Sequence, residues 1–153
     1  MVGGPHWPEG GEIDVIEGVH NDKRTTHNLH TANTCDYSHV DRNALTTGHW
    51  GSGKKNCWAK APNQVNNVGC GVNAAEGTHG KPWTDGKGGV TVLLWSRSVG
   101  IKIWDLPRSK VPSTLKKTTT SISDSDLKAL GKPTVFFPFG NGCTADSFHQ
   151  QTV

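Results

Sequence analysis

At 153 residues, with 16 basic and 13 acidic side chains, the chain carries a formal charge of only +3, and its Lys and Arg residues are scattered singly or in pairs, which excludes the basic stripe of a nucleic-acid-binding surface. Leu, Ile, Val and Phe supply about one residue in five while Gly and Pro number 19 and 8, so the chain is short of helix formers and rich in turns. Its longest apolar run, residues 90–95, falls far short of the roughly 20 residues of a membrane-spanning helix.

Low net charge and six tryptophans argue against disorder and for one loop-rich β domain over residues 1–153. The opening residues, 1–7, lack a basic segment followed by an apolar stretch, so either the protein is not exported or its start lies upstream. Strands are predicted at residues 11–18 and 25–31, each bounded by Gly, Asn or Asp. Residues 31–89 show little periodicity, many Asn, Gly and Thr and three of the four cysteines, and read as one elaborated loop. Residues 90–96 and 100–106 form the best hairpin, with Gly100 able to take a positive φ at the turn. In its second strand Ile101, Ile103 and Asp105 share one face, and Lys102, Trp104 and Leu106 the other. Residues 123–131 begin with hydroxyl and acidic side chains and end at Gly131, the marks of a short helix. A last strand is predicted at residues 134–139.

Two patterns invite other chemistries. Residues 48–55 satisfy part of a phosphate-binding loop, but Lys55 stands where a hydroxyl must hold magnesium and no apolar strand precedes it. His27, His30 and Cys35 suggest zinc, yet residues three apart on a strand point to opposite faces, and the histidines read as solvated or cleft residues. Cys35, Cys57, Cys70 and Cys143 contain no C-x-x-C pair, and their even number in loop-rich surroundings suits disulfides, with at least one bridge expected within residues 35–70.

The informative stretch is residues 7–18, Trp-Pro-Glu-Gly-Gly-Glu-Ile-Asp-Val-Ile-Glu-Gly. Glu12, Asp14 and Glu17 crowd a β-branched strand that ordinarily disfavours carboxylates. Glu12 and Asp14 share a face; Glu17 joins them only if a bulge inserts one residue at Val15-Ile16. With that bulge the Cα atoms of Glu12 and Glu17 stand roughly 13 Å apart, and side chains leaning toward each other leave about 5 to 6 Å between carboxyl groups, the spacing of a retaining glycosidase. One carboxylate then acts as nucleophile and the other as acid, with the aspartate between them holding their pKa values apart. A solvated acidic strand or a calcium site is the plainer alternative.

The hexad Glu12-Ile13-Asp14-Val15-Ile16-Glu17, its Trp7-Pro8 lead-in, Leu29-His30-Thr31, Gly69-Cys70-Gly71-Val72, Ile101-Lys102-Ile103-Trp104 and Pro107-Arg108 occur in this order. Together they resemble the family-16 glycoside hydrolases, in particular the fungal secreted endo-β-1,3(4)-glucanases of laminarinase type. The resemblance implies an all-β antiparallel jelly-roll sandwich of the concanavalin A-like type, incomplete in a chain that covers the middle of the domain. It implies Glu12 as nucleophile, Asp14 as its supporting aspartate and Glu17 as acid/base, with Trp7, His30 and Trp104 binding substrate, although core packing is an equal reading of Trp104. The implied partner is a β-glucan, cleaved with retention and without cofactor or metal; nucleic acid and membrane are not expected, the complete domain should be a monomer, and the protein should be secreted. A non-catalytic β-glucan-binding sandwich is the rival. Three details depart from the pattern: His20 replaces a commoner Asn, the loop after Cys35 is rich in His and Lys, and Asp105 replaces an aromatic. The resemblance also implies that Cys143 has its partner in a strand beyond this chain and is left reactive.

Overall fold

Ile13, Leu29 and Val72 are buried side by side on three adjacent strands and face Ile101, Ile103, Val135 and Phe137, buried on a second layer. The computed structural model describes residues 2–3, 6–41, 44–51, 53, 55–116 and 121–148. Its elements run β1 (Val2–Gly3), β2 (Glu12–Glu17), β3 (Thr26–His30), β4 (His49–Trp50), β5 (Cys70–Asn73), α1 (Gly80–Asp85), β6 (Gly89–Ser96), β7 (Gly100–Pro107), α2 (Asp124–Ala129) and β8 (Val135–Pro138). Strands β1-β2-β3-β5-β4 form one antiparallel sheet and β6-β7-β8 another. The chain is therefore an all-β sandwich, with apolar side chains of both inner faces filling the space between.

The predicted hairpin forms as β6 and β7, paired from Gly89↔Pro107 to Ser96↔Gly100, with Gly100 at φ +129. A Cβ there would meet the backbone of Phe137 and Pro138, so a side chain at this position would push β8 off β7. The predicted helix is α2, opened by a capping box in which Ser123 and Asp126 satisfy each other's backbone N–H groups.

Residues 31–89 are more than a loop. They contain β5, an interior strand that lies between β3 and the edge strand β4. Its sequence, Cys-Gly-Val-Asn, has Val72 as its one branched residue and no aromatic, too little to announce a strand. The cysteines also depart from expectation in one respect. Cys57 and Cys70 are bridged within the predicted region, but Cys143 is joined to Cys35 across 108 residues, so it is neither free nor reactive. The turn at residues 140–143 brings it there, and Tyr37 Oη lies 3.2 Å from Cys143 Sγ. Residues 149–153 lie outside the described residues, as do Ser52 and Lys54 of the 48–55 segment. Among the described residues no helix is long and apolar enough to cross a membrane.

Candidate active site

The ladder between β2 and β3 pairs Glu12 with His30, Ile13 with Leu29 and Asp14 with Asn28, and then Glu17 with Thr26. Three steps along β2 match two along β3, which is the one-residue bulge at Val15-Ile16. Two core-facing side chains, His27 of β3 and Thr25 just before it, take up backbone groups of the bulge. Thr25 Oγ1 accepts from the Glu17 N–H at 3.2 Å and reaches the Glu17 carbonyl at 3.2 Å, and His27 Nδ1 lies 2.7 Å from the Val15 carbonyl.

Beyond the bulge Glu17 returns to the face of Glu12 and Asp14. All three carboxylates act electrostatically on His30, and Asn28, directly opposite Asp14, donates from its side-chain amide to Glu17 Oε2. Trp7, presented by a cis Trp7-Pro8 peptide, donates from its indole N–H to Glu12 Oε2. Its ring lies 6.1 Å from that of His30, tilted by 45°, and keeps 41% of its surface exposed. His30 Nε2 lies 3.2 Å from Asp14 Oδ2. Glu12 and Asp14 are buried, whereas Glu17 is exposed.

Burial, and next the charge of Asp14, push the Glu12 carboxyl above its ordinary value, while the Trp7 hydrogen bond and the charge of His30 pull it back. Burial pushes His30 down, but the hydrogen bond and charge of Asp14, with Glu12 and Glu17 behind them, outweigh it and leave the imidazole raised. The site is an apposition of three carboxyl groups in which burial and Asp14 raise the proton affinity of Glu12 against the pull of an indole and a histidine.

The glycines of the Gly69-Cys70-Gly71 stretch acquire a reason here. A Cβ on Gly71 would fall on the Asn28 amide oxygen, and one on Gly69, at φ +60, would come 2.8 Å from His30 Nδ1 and collide with the Leu29 carbonyl. Gly71 on β5 and Gly69 just before it leave room for Asn28 and His30 to lie over the sheet. Beyond them Thr26 and Asn73, joined by a 3.1 Å hydrogen bond, open into a polar depression of about 370 Å³ that Arg24 and Glu76 also line.

Of the six residues singled out in the sequence, Glu12, Asp14, Glu17, Trp7 and His30 converge. Trp104 does not: it lies on β7 of the other sheet, on its outer face, buried with its indole N–H donating to the Gly131 carbonyl at 2.9 Å, beside Leu94 and Leu127. His27 is not a solvated or cleft residue. It is fully buried on the core face, three residues from cleft-facing His30, and its Nε2 lies 2.8 Å from Asp105 on β7. Asn28 escaped the sequence reading, though the alternation of β3 places it on the face of His30.

The comparisons decide the lineage. The family model described as "XgeA-like, catalytic GH16 domain" matches residues 1–153. The chain belongs to glycoside hydrolase family 16. It is 35% identical over 120 residues to the endo-1,3(4)-beta-glucanase xgeA of Emericella nidulans, covering 78% of this chain and 18% of that protein. The solved Laminarinase 16A from Phanerochaete chrysosporium, which holds β-glucans in both donor and acceptor sites, matches with a TM-score of 0.76 and 28% identity over 99% of this chain and 51% of its own. A solved elongating family-16 β-1,3-glucosyltransferase matches with a TM-score of 0.75 and 28% identity over 95% of this chain and 44% of its own. The chain thus spans a quarter or less of such curated relatives and about half of the solved chains. These likenesses bear out the jelly-roll sandwich expected from the motifs.

Proposed function

We propose that the chain carries the catalytic centre of a secreted endo-β-1,3- or mixed β-1,3/1,4-glucanase that works by double displacement with retention. The observation that carries this reading is the bulge between Asp14 and Glu17, which brings a third carboxylate to the face of the other two. Glu12 attacks the anomeric carbon and forms a glycosyl ester while protonated Glu17 gives its proton to the departing glycosidic oxygen; Glu17 then takes a proton from water as that water opens the ester. Asp14 with His30 supports the nucleophile, and the Trp7 indole N–H stabilises the Glu12 carboxylate. The exposed face of Trp7 is a stacking surface for a sugar ring. The two disulfides are compatible with an oxidising, extracellular setting.

The test is release of reducing ends from laminarin, with pull-down on insoluble glucan as the control for binding alone. Glu12→Gln should abolish turnover and Glu17→Gln should lower it about 10² to 10⁴-fold. An activated leaving group should rescue the first step of the Glu17 variant only. Binding without release by the unaltered protein would favour a non-catalytic glucan-binding sandwich.

The likeness to a solved glucosyltransferase favours a second reading of the same site, in which a sugar hydroxyl opens the ester in place of water. Products longer than the substrate, seen by mass spectrometry, would mark transfer.

A further inference from the structure

We propose that His27 and Asp105 are positioning residues for the acid/base carboxylate, tying the bulge of β2 through β3 to the second sheet. The proposal rests on the reading of Glu17 as the acid/base. Two polar groups in the core take no part in the chemistry of the cleft. His27 and Asp105 have side chains 0% and 2% exposed, and burial on this scale is tolerated only when each polar atom finds a partner.

All of them do. A carbonyl oxygen can only accept, so the 2.7 Å contact from His27 Nδ1 to Val15 O requires a proton on Nδ1. The 2.8 Å contact between His27 Nε2 and Asp105 Oδ2 then holds one further proton, on whichever atom it resides, and the pair as a whole is neutral. The other oxygen of Asp105 accepts from Thr91 Oγ1 of β6 at 3.0 Å, and its backbone N–H donates to Thr134 Oγ1 at 3.0 Å, just before β8. Val15 is thereby linked through β3 to every strand of the second sheet or its flank.

The placement matters because Val15 lies inside the bulge, two residues before Glu17. A bulge leaves carbonyl and amide groups outside the ladder, and its exact turn decides where the following side chain points. Thr25 fixes the Glu17 end through its amide, and His27 fixes the Val15 end through its carbonyl. Asp105 orients the ring, much as an outer carboxylate orients a metal-bound histidine. A site displaced by about 1 Å loses on the order of 10²-fold in rate, so holding Val15 is holding Glu17.

The first measurement is the imidazole ¹H–¹⁵N spectrum of the unaltered protein, in which His27 should show a slowly exchanging Nδ1–H. An Nδ1 without a proton would overturn the proposal. The second uses a double apolar variant, His27→Leu with Asp105→Leu, which leaves no unpaired buried charge. It should keep a cooperative melt, shift the Glu17 backbone amide and Asn28 side-chain amide resonances, and lower kcat on laminarin about 10 to 100-fold with KM little changed. Asp105→Asn can donate to Nε2 of a neutral ring whose Nδ1–H still reaches Val15, so it should recover most of kcat. Unmoved Glu17 and Asn28 signals, or equal losses in Asp105→Asn and Asp105→Leu, would reduce the pair to a structural role. If the double variant fails to fold, the imidazole spectrum and the Asp105→Asn against Asp105→Leu comparison decide. If the unaltered protein cleaves no β-glucan while the Glu17 and Asn28 resonances still respond to Asp105→Leu, the glucanase reading fails and the tether stands.

Discussion

Glu12 stands directly opposite His30 in the ladder of β2 and β3, yet His30 turns its Nε2 to Asp14, 3.2 Å away. The Glu12 carboxylate takes the Trp7 indole N–H and lies within hydrogen-bonding reach of Asp14. The two aromatic neighbours are thus divided: His30 holds Asp14 and Trp7 holds Glu12.

This division has a consequence for stability. The His30 pKa is raised in the fold, so the folded chain binds the His30 proton more tightly than the unfolded one. Its contribution is fully present below the unfolded value of about 6.5 and is lost as pH rises through the folded value. Asp14→Asn removes the hydrogen bond and charge responsible, and urea melts across pH 5 to 9 should show a flatter decline above about pH 6.5 than the unaltered protein. An unchanged slope would mean that Asp14 does not set the proton affinity of His30.

The pH profile of turnover tests the other half. In the proposed double displacement Glu12 must be ionised to attack; since it is raised above 4.5, the acidic limb of kcat/KM should lie above that value. Trp7→Phe removes an interaction that lowers the Glu12 pKa, so the limb should move further toward neutrality. A limb that moves to lower pH would contradict the indole's role.

Gly71 is predicted to be intolerant of one methyl group. A Cβ there falls on the Asn28 amide, so Gly71→Ala should cost about 1 to 3 kcal/mol through overpacking and should loosen the hydrogen bond to Glu17. Adding Asn28→Ala should restore the melting temperature without restoring activity. Equal stability of Gly71→Ala and the parent would refute the contact.

The disulfides should contribute unequally. Cys35–Cys143 closes 108 residues and Cys57–Cys70 closes 13, and loop-closure entropy assigns about 4.7 kcal/mol to a loop of about 100 residues and about 3 to one of about 15. Replacing the long-range pair with serine should lower stability more. Non-reducing peptide mapping that finds Cys143 alkylated as a free thiol would contradict this pairing.

The strands with strong alternation were legible in the sequence: residues 11–18, 25–31 and the hairpin of β6 and β7 stand where their apolar periodicity placed them. So was the bulge, because three carboxylates on one strand make sense only if Glu17 is turned to the side of the others. What stayed hidden depended on contacts between distant segments. Gly71 of β5 and Gly69 just before it must be small because Asn28 and His30 overlie them, and Cys70 is bridged to Cys57, requirements that the segment's own residues do not express. His27 looked like a cleft residue because its partner, Asp105, is 78 positions away, and Cys143 looked unpaired because the turn that returns it to Cys35 is formed by tertiary packing.

The central claim is that Glu12 and Glu17 share a face at the spacing of a double displacement. Proton NMR of the first products released from laminarin measures it most directly. A β anomer formed first, mutarotating later to the equilibrium mixture, is the predicted result, since two displacements restore configuration. An α anomer formed first would mean single displacement by water, with the two carboxylates farther apart than one bulge allows, and would contradict the account.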